Sequence, residues 1–121
     1  MPKQTNIFAH LPVSLDEESF TDLLHVPGLR IERIVSQGHA SPPDFWYDQG
    51  WDEWVLVLQG EATLEFDDPP KQVVLRVGDY YWLPAGLRHR VASTDTNGPT
   101  IWLAVHRGEN DPPHDDFTNK N

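Results

Sequence analysis

The chain has 121 residues, 38% of them hydrophobic, and a formal net charge of −10. This length fits one domain with one modest core. The strong negative charge argues against nucleic acid and against an anionic membrane surface as partners, because both would repel the chain. A cation or a neutral small molecule is compatible with it.

Cysteine is absent from the sequence. A disulfide framework, a thiolate nucleophile and a cysteine-based zinc site are therefore excluded. A metal ion would have to be held by histidine, carboxylate, amide or phenol groups, which suit Fe, Mn, Ni, Zn or Cu. The N-terminal residues contain no apolar run typical of a secretory signal, and the longest apolar run is shorter than a membrane span. These features predict a cytoplasmic protein.

An irregular lead-in over residues 1–13 is followed by a pattern typical of a helix start. The hydroxyl of Ser14 can cap the first turn while Glu17 reaches back to it. The spacing predicts a short helix from Leu15 to His25, with Phe20, Leu23 and Leu24 on its apolar face. Proline and glycine in Val26-Pro27-Gly28 would end it.

After Gly28 the hydrophobic period changes to that of strands rich in Val, Ile, Leu, Trp and Tyr. Turn residues separate these runs at short intervals, a pattern typical of a sandwich or barrel. The predicted strands are Leu29–Gln37, Glu53–Gln59, Glu61–Phe66, Gln72–Val77, Tyr80–Leu83, His89–Ser93 and Thr100–His106. The chain thus divides into an N-terminal extension (1–28), a barrel (29–106) and a polar, loosely ordered tail (107–121).

Two groups of residues stand at fixed spacing within the predicted barrel. In the first, Gly78 is followed by the turn Pro84-Ala85-Gly86 and then by His89 at the start of a strand. The glycines permit tight turns, and the proline fixes the backbone as it enters the turn. In the second, Glu53 opens a strand that Gly60 closes.

In these residues the chain resembles the cupin superfamily. One cupin motif has the form G-x5-P-x-G-x2-H-x3-N, and four of its five fixed positions are matched here, by Gly78, Pro84, Gly86 and His89. Ser93 stands in place of the asparagine. The other motif, G-x5-H-x-H-x3,4-E-x6-G, is matched in its second half from Glu53 to Gly60. The resemblance implies an all-β fold, the cupin double-stranded β-helix or jelly-roll-like barrel, here with a short N-terminal helix.

The paired histidines of the second motif are replaced in this chain. They should lie four and six, or five and seven, residues before Glu53. Those positions hold Gln49 and Tyr47, or Asp48 and Trp46. The nearest upstream histidine, His39, is too distant for the motif's spacing. Two of the four usual cupin ligands are therefore missing.

Strand alternation places the candidate site residues on common faces. Glu53 would share a face with Val55 and Val57, His89 with Val91 and Ser93, and His106 with Trp102 and Ala104. We predict a pocket in which Glu53 and His89, completed by Asp48 or Gln49, hold a divalent metal ion as a mixed histidine and oxygen ligand set. Tyr47 and His106 are predicted to contact a bound cofactor or small molecule. The simpler interpretation of His10, His25, His39 and His114 is exposure to solvent.

Three functions fit this pocket. The first is a metal-dependent cupin enzyme, such as a dioxygenase, isomerase or lyase. The second is a metal-free barrel that binds or senses a small molecule, since it has lost the histidine pair. The third is metal-independent acid–base catalysis with His89 as the base, as in some sugar epimerases of this architecture. The apolar residues on both faces of the Glu53 strand favour a homodimer, as in other small cupins.

Overall fold

A computed structural model of the chain describes residues 4–109. Within this range it consists of eight strands and no helix. The strands are β1 (Ser19–Val26), β2 (Leu29–Ser36), β3 (Asp52–Gln59), β4 (Ala62–Asp67), β5 (Pro70–Leu75), β6 (Tyr80–Leu83), β7 (His89–Thr94) and β8 (Thr100–Arg107). The predicted polar tail, with His114, lies from residue 110 onward outside the described residues.

The strands form two antiparallel sheets around one core. The larger sheet has the order β1-β2-β8-β3-β6, and the smaller has the order β5-β4-β7. Both contribute to a single apolar cluster, which includes Ile34, Val55 and Trp102 from the larger sheet and Leu64, Phe66 and Leu75 from the smaller. The all-β architecture is consistent with the predicted barrel, and β2 to β8 lie within two or three residues of the predicted strands.

The helix predicted from Leu15 to His25 is wrong. Most of that segment belongs to β1, which pairs with β2 in antiparallel register, Phe20 opposite Ile34 and Val26 opposite Leu29. Pro27 and Gly28 form the two-residue turn between these strands, and Gly28 adopts the positive φ of 80° that such a turn requires. The edge of β2 offers hydrogen bonds to the segment, and this pairing overrides the local helix signal at Ser14 and Glu17.

The turn between β3 and β4 depends on Gly60. Its φ is 83°, a conformation that residues with a β-carbon rarely adopt. A β-carbon built at this position would lie 2.5 Å from Thr100 Oγ1 and 2.7 Å from the Pro99 carbonyl oxygen. The close approach of the β8 backbone therefore leaves room only for glycine.

The outer face of the larger sheet carries an apolar row that crosses all five strands. Cross-strand register aligns its members in the order Leu24, Ile31, Val105, Trp54 and Trp82. Leu24 and Trp82, at the two edges, are exposed, and the three between them are half-buried. None of the elements in the described part of the chain is a helix of the length and hydropathy that a bilayer crossing requires.

Candidate active site inside the barrel

A narrow cavity of about 20 Å³ lies within the barrel, which is room for about one water molecule. Its half-buried lining residues, Glu18, Phe20 and Val91, mark the open end. The buried polar lining residues are Tyr47, Glu53 and His89, and the other buried members are aliphatic or tryptophan. The cavity lining is thus mainly apolar and contains only a few polar side chains.

β3 carries Glu53 into this cavity. Glu53, Val55 and Val57 are 1%, 3% and 0% exposed, while Trp54 and Leu56 alternate with them on the outer face. The register of the sheet places Glu53 opposite His106 on β8. Regular strand pairing, therefore, brings a fully buried carboxylate beside a fully buried imidazole.

His89 approaches Glu53 from the smaller sheet. Its backbone forms a bridge with Tyr47, in which the Tyr47 N–H donates to the His89 carbonyl at 2.7 Å, and the two rings stack with centroids 5.3 Å apart. The His89 Nδ1 lies 2.9 Å from the Leu87 carbonyl oxygen, which can only accept, so Nδ1 carries a proton. In the neutral ring Nε2 is then a proton acceptor, 3.9 Å from Glu53 Oε1.

His106 lies on the other side of the same carboxylate. Its Nε2 is 2.9 Å from Glu32 Oε1 and 3.8 Å from Glu53 Oε2. Its Nδ1 accepts a hydrogen bond of 2.9 Å from the indole N–H of Trp51. Because an indole nitrogen can only donate, the His106 proton must be on Nε2, where it is donated to Glu32. The Glu32–His106 contact is thus a hydrogen bond from a neutral imidazole.

A second carboxylate stands at the open end of the cavity. The Ser36 hydroxyl donates to Glu18 Oε2, and the Trp102 indole N–H donates to the Ser36 oxygen at 3.2 Å. Ser36 and Trp102 are both buried, so Glu18 is tied to the core. Among the described residues, no lysine or arginine lines the cavity, whereas two carboxylates do.

The structure separates the predicted site residues into two groups. Glu53, His89 and Tyr47 line the cavity. His106 does not line it, but its Nε2 lies 3.8 Å from Glu53 Oε2. Asp48 is exposed, and Gln49 is buried outside the lining, where its backbone carbonyl accepts the Gly86 N–H at 2.8 Å. That bond anchors the loop before β3 to the turn before His89. His39 accepts the Gln37 N–H at Nδ1 and does not line the cavity.

Sequence reasoning missed Glu32, Trp51 and Glu18. Glu32 is completely buried, yet it stands in a strand whose other charged residues, Arg30 and Arg33, gave no sign of which face is inside. Its role appears only through the β2–β8 register, which places it opposite Ala104 and within reach of His106. Trp51 offered a weak signal, an aromatic residue two positions before Glu53.

Asp52 anchors the turn that delivers His89. Its carboxylate accepts the Ala85 N–H at 3.0 Å and an Arg107 N–H at 2.8 Å. The Arg107 hydrogen bond, and after it that of Ala85, hold the pKa of Asp52 below its ordinary value. A lowered carboxylate pKa stabilises the fold above the ordinary aspartate pKa of about 3.9, and this contribution is lost as the pH falls through the folded value.

We expect Asp52→Ala to lower the melting temperature by a few degrees at neutral pH, because both hydrogen bonds are lost. The difference from the wild type should shrink as the pH falls from the ordinary aspartate pKa through the lowered folded value, since Asp52 is then protonated first in the unfolded chain and finally in the folded protein as well. Thermal unfolding followed by circular dichroism between neutral and acidic pH measures it. Asp16→Ala, at an exposed position, is the control. A constant difference at all pH values would contradict this assignment.

The residues present do not fit the divalent metal site implied by the resemblance. Of the four predicted ligands, only Glu53 and His89 line the cavity, and catalytic metal sites in proteins use three or more protein ligands. Glu18, the other carboxylate of the lining, accepts the Ser36 hydroxyl. The Nε2 of His106 carries a proton, and Asp48 points to solvent rather than into the cavity. Across residues 4–109, no group of three or more His, Asp or Glu side chains is arranged to hold an ion.

Comparison with known proteins agrees with the fold. The Cupin domain family model matches residues 32–106. A protein of Ralstonia eutropha JMP134, provisionally named a mannose-6-phosphate isomerase, is 52% identical in sequence; the alignment covers 88% of this chain and 98% of that one, with a TM-score of 0.84.

More distant structures share the architecture. A cupin superfamily protein of Desulfitobacterium hafniense DCB-2 is 19% identical, with 88% and 93% of the two chains covered and a TM-score of 0.69. The hydroxypropylphosphonic acid epoxidase of S. wedmorenis is also 19% identical, with 75% and 51% covered and a TM-score of 0.62. At these identities the likeness shows the fold alone. Because the family match runs from β2 to β8 and includes Glu53, His89 and His106, the chain belongs to the cupin family.

Proposed function

We propose that this cupin is an isomerase that transfers a proton between neighbouring carbons of a small hydroxycarbonyl compound, with Glu53 and His89 as the reacting acid–base pair. The observation that carries the proposal is the buried Glu53 carboxylate facing the Nε2 of His89 at 3.9 Å inside the cavity. The 52% identical protein provisionally named an isomerase supports the same class of reaction.

The reaction needs two groups that exchange protons. Glu53, as a carboxylate, removes a proton from the carbon next to the carbonyl and returns it to the neighbouring carbon, so the overall change is a redistribution of hydrogen without oxidation. His89 relays the second proton between the two substrate oxygens, because its Nε2 is an acceptor in the neutral ring and a donor in the charged one. Burial strengthens both interactions by removing competing water.

Cupins commonly bind divalent metals, but the donors in this chain support chemistry that does not depend on one. Of the predicted ligands, Asp48 is exposed and Gln49 lies outside the lining, which leaves Glu53 and His89. His106, beside Glu53, carries its proton on Nε2. The proposed proton transfers use Glu53 and His89 and need no metal ion. Activity should therefore survive removal of divalent ions.

The substrate class follows from the charges around the cavity. Glu18 and Glu53 are carboxylates, and no arginine or lysine among the described residues lines the cavity to neutralise a phosphate. A dianionic phosphate close to these carboxylates would be repelled. The cavity holds about one water molecule, so a larger ligand must spread Glu18, Phe20 and Val91 apart. We propose a neutral aldose or ketose whose carbonyl end enters the cavity.

Solvent-deuterium exchange tests this function. Protein treated with a chelator is incubated in D2O with mannose, fructose or mannose 6-phosphate, and deuterium at C1 or C2 is followed by NMR. We expect isomerisation with deuterium incorporation, faster for the neutral sugars and unchanged when divalent ions are restored. Reaction of the phosphate ester alone would overturn the substrate class. Activity that appears only with an added metal would overturn the proposed chemistry, and no exchange under any condition would overturn the function.

A second candidate is a barrel that binds a small molecule without reaction, which the largely apolar lining favours. In that case His89→Ala would weaken ligand affinity, and the wild type would show saturable binding of a neutral sugar without deuterium exchange. In the enzyme, His89→Ala abolishes exchange. The two candidates thus differ in the wild-type measurement as well as in the variant.

The predicted homodimer is part of the proposal. The apolar row across the larger sheet, from Leu24 to Trp82, places half-buried and exposed apolar side chains on a protein of net charge −10. A contiguous apolar surface of this kind marks an interface in soluble proteins. A second copy of the chain pairing through this face would cover it.

A further inference from the structure

Trp51 forms a hydrogen bond with His106, a histidine outside the cavity. Its indole N–H donates to His106 Nδ1 at 2.9 Å, and Trp51 itself is half-buried while His106 is completely buried. Neither residue lines the cavity. Trp51 is therefore connected to the proposed reacting carboxylate through His106, which lies 3.8 Å from Glu53.

The hydrogen bond leaves His106 a single protonation state. A charged imidazolium would carry a proton on Nδ1, directed at the Trp51 N–H, and two donors cannot share one bond. The other neutral tautomer has the same conflict. Only the form with its proton on Nε2 keeps both the Trp51 contact and the 2.9 Å bond to Glu32.

The protonation state of His106 determines whether the residues around Glu53 can bind a metal ion. His89 and His106 each direct Nε2 toward Glu53, at 3.9 Å and 3.8 Å, and approach different oxygens of the carboxylate. Two imidazoles and one carboxylate are the donor types of a non-haem iron site, but a metal ligand must offer a lone pair. His89 offers one at Nε2, whereas His106 offers a proton.

We propose that Trp51 is a positioning residue that fixes His106 in its Nε2-protonated neutral form, and that this keeps the residues around Glu53 a hydrogen-bonding network instead of a metal-binding set. The proposal deepens the proposed function and rests on it only in taking Glu53 as the reacting carboxylate. It gives the chain a chemical reason, beyond the replaced histidines near Tyr47, for working without a metal ion.

Nitrogen-15 NMR of the imidazoles tests the tautomer directly, on metal-free protein without substrate. In the wild type we expect His106 to have a protonated Nε2 and an unprotonated Nδ1. In Trp51→Phe, which removes the donor and keeps an aromatic ring, Nδ1 is no longer blocked. We then expect part of the His106 population to carry a proton on Nδ1, although the Glu32 carboxylate still accepts from Nε2. Trp82→Phe, at an exposed tryptophan of the same sheet, should leave His106 unchanged. A wild-type Nδ1 proton, or an unchanged tautomer in Trp51→Phe, overturns the proposal.

Binding of Co²⁺ alone, measured by calorimetry and visible absorption, tests the consequence. Outer-shell partners of metal ligands change metal affinity about 10- to 100-fold, so Trp51→Phe should bind Co²⁺ at least about tenfold more tightly than the wild type or Trp82→Phe. The double variant Trp51→Phe/His106→Asn should lose this gain. Equal affinities in the wild type and Trp51→Phe overturn the link between tautomer and metal binding.

A second variant and a substrate-free measurement separate the role of Trp51 from folding and from the isomerase function. If Trp51→Phe does not fold, Trp51→Leu also removes the donor, and the wild-type spectrum alone can still contradict the assignment. The deuterium-exchange assay uses substrate and the NMR measurement does not, so an inactive wild type with the expected His106 tautomer would overturn the isomerase function and leave the role of Trp51 standing.

Discussion

Replacing Glu53 by glutamine is expected to lower the rate of isomerisation by about 10²- to 10⁴-fold, the usual contribution of a general base. Glutamine keeps the shape of the side chain between His89 and His106 but cannot accept a proton from carbon. Sugar binding should change little, because the amide still fits the cavity. The loss should therefore appear in kcat, measured by deuterium exchange, far more than in KM.

Glu61→Gln is the matched control for this variant. The Glu61 side chain is exposed and forms a surface ion pair with Arg76 at 3.4 Å, an interaction that contributes little. Thermal unfolding confirms that both variants are folded. If Glu53→Gln retains activity within about threefold of the wild type, a change well below one general-base contribution, Glu53 is not the base.

Gly60→Ala is expected to cause the largest loss of stability of any conservative change in the barrel. A β-carbon at a φ of 83° costs about 1–2 kcal/mol. Here it would also lie 2.8 Å from Thr100 Cα, so the β8 backbone must shift. Together these effects should reach about 3 kcal/mol or more, which lowers the melting temperature by about 10–20 °C in a domain of this size.

Gly78→Ala separates the two contributions. Gly78 has a φ of 90°, but a β-carbon there would meet nothing within 4 Å. Only the backbone strain of about 1 kcal/mol should remain, equivalent to about 5 °C. Thermal unfolding of both variants measures the difference. Equal losses would mean that the contact with Thr100 relaxes at no cost, whereas loss of soluble Gly60→Ala protein alone agrees with the expectation.

The strands could be predicted because their signals are local. Runs such as Glu53–Gln59 alternate in burial and end at turn residues, and each of the seven predicted strands is present in the structure. The helix from Leu15 to His25 was predicted from an equally local signal, the capping pattern at Ser14 and Glu17. It failed because Pro27-Gly28 is a hairpin turn, which returns the segment to the edge of β2. Apolar runs on both sides of a Pro-Gly pair were the stronger signal.

The residues of the candidate site could be found only in part from the sequence. Glu53 and His89 follow from motif spacing, and both line the cavity. Glu32 and Trp51 could not be found, because their contacts with His106 join residues 74 and 55 positions apart in the chain. Such contacts depend on which strands become neighbours, and β2 lies beside β8 although five strands separate them in sequence order.

The proposed acid–base pair is divided between the two sheets, since Glu53 belongs to the larger and His89 to the smaller. The distance between Glu53 Oε1 and His89 Nε2 therefore depends on the separation of the two sheets. Apolar side chains such as Val55 and Leu64 fill the core between them. The volume of those side chains should therefore influence how far Glu53 and His89 are apart. Laboratory evolution toward larger or smaller sugars should accordingly select substitutions among these core residues, because a change in their volume changes that distance.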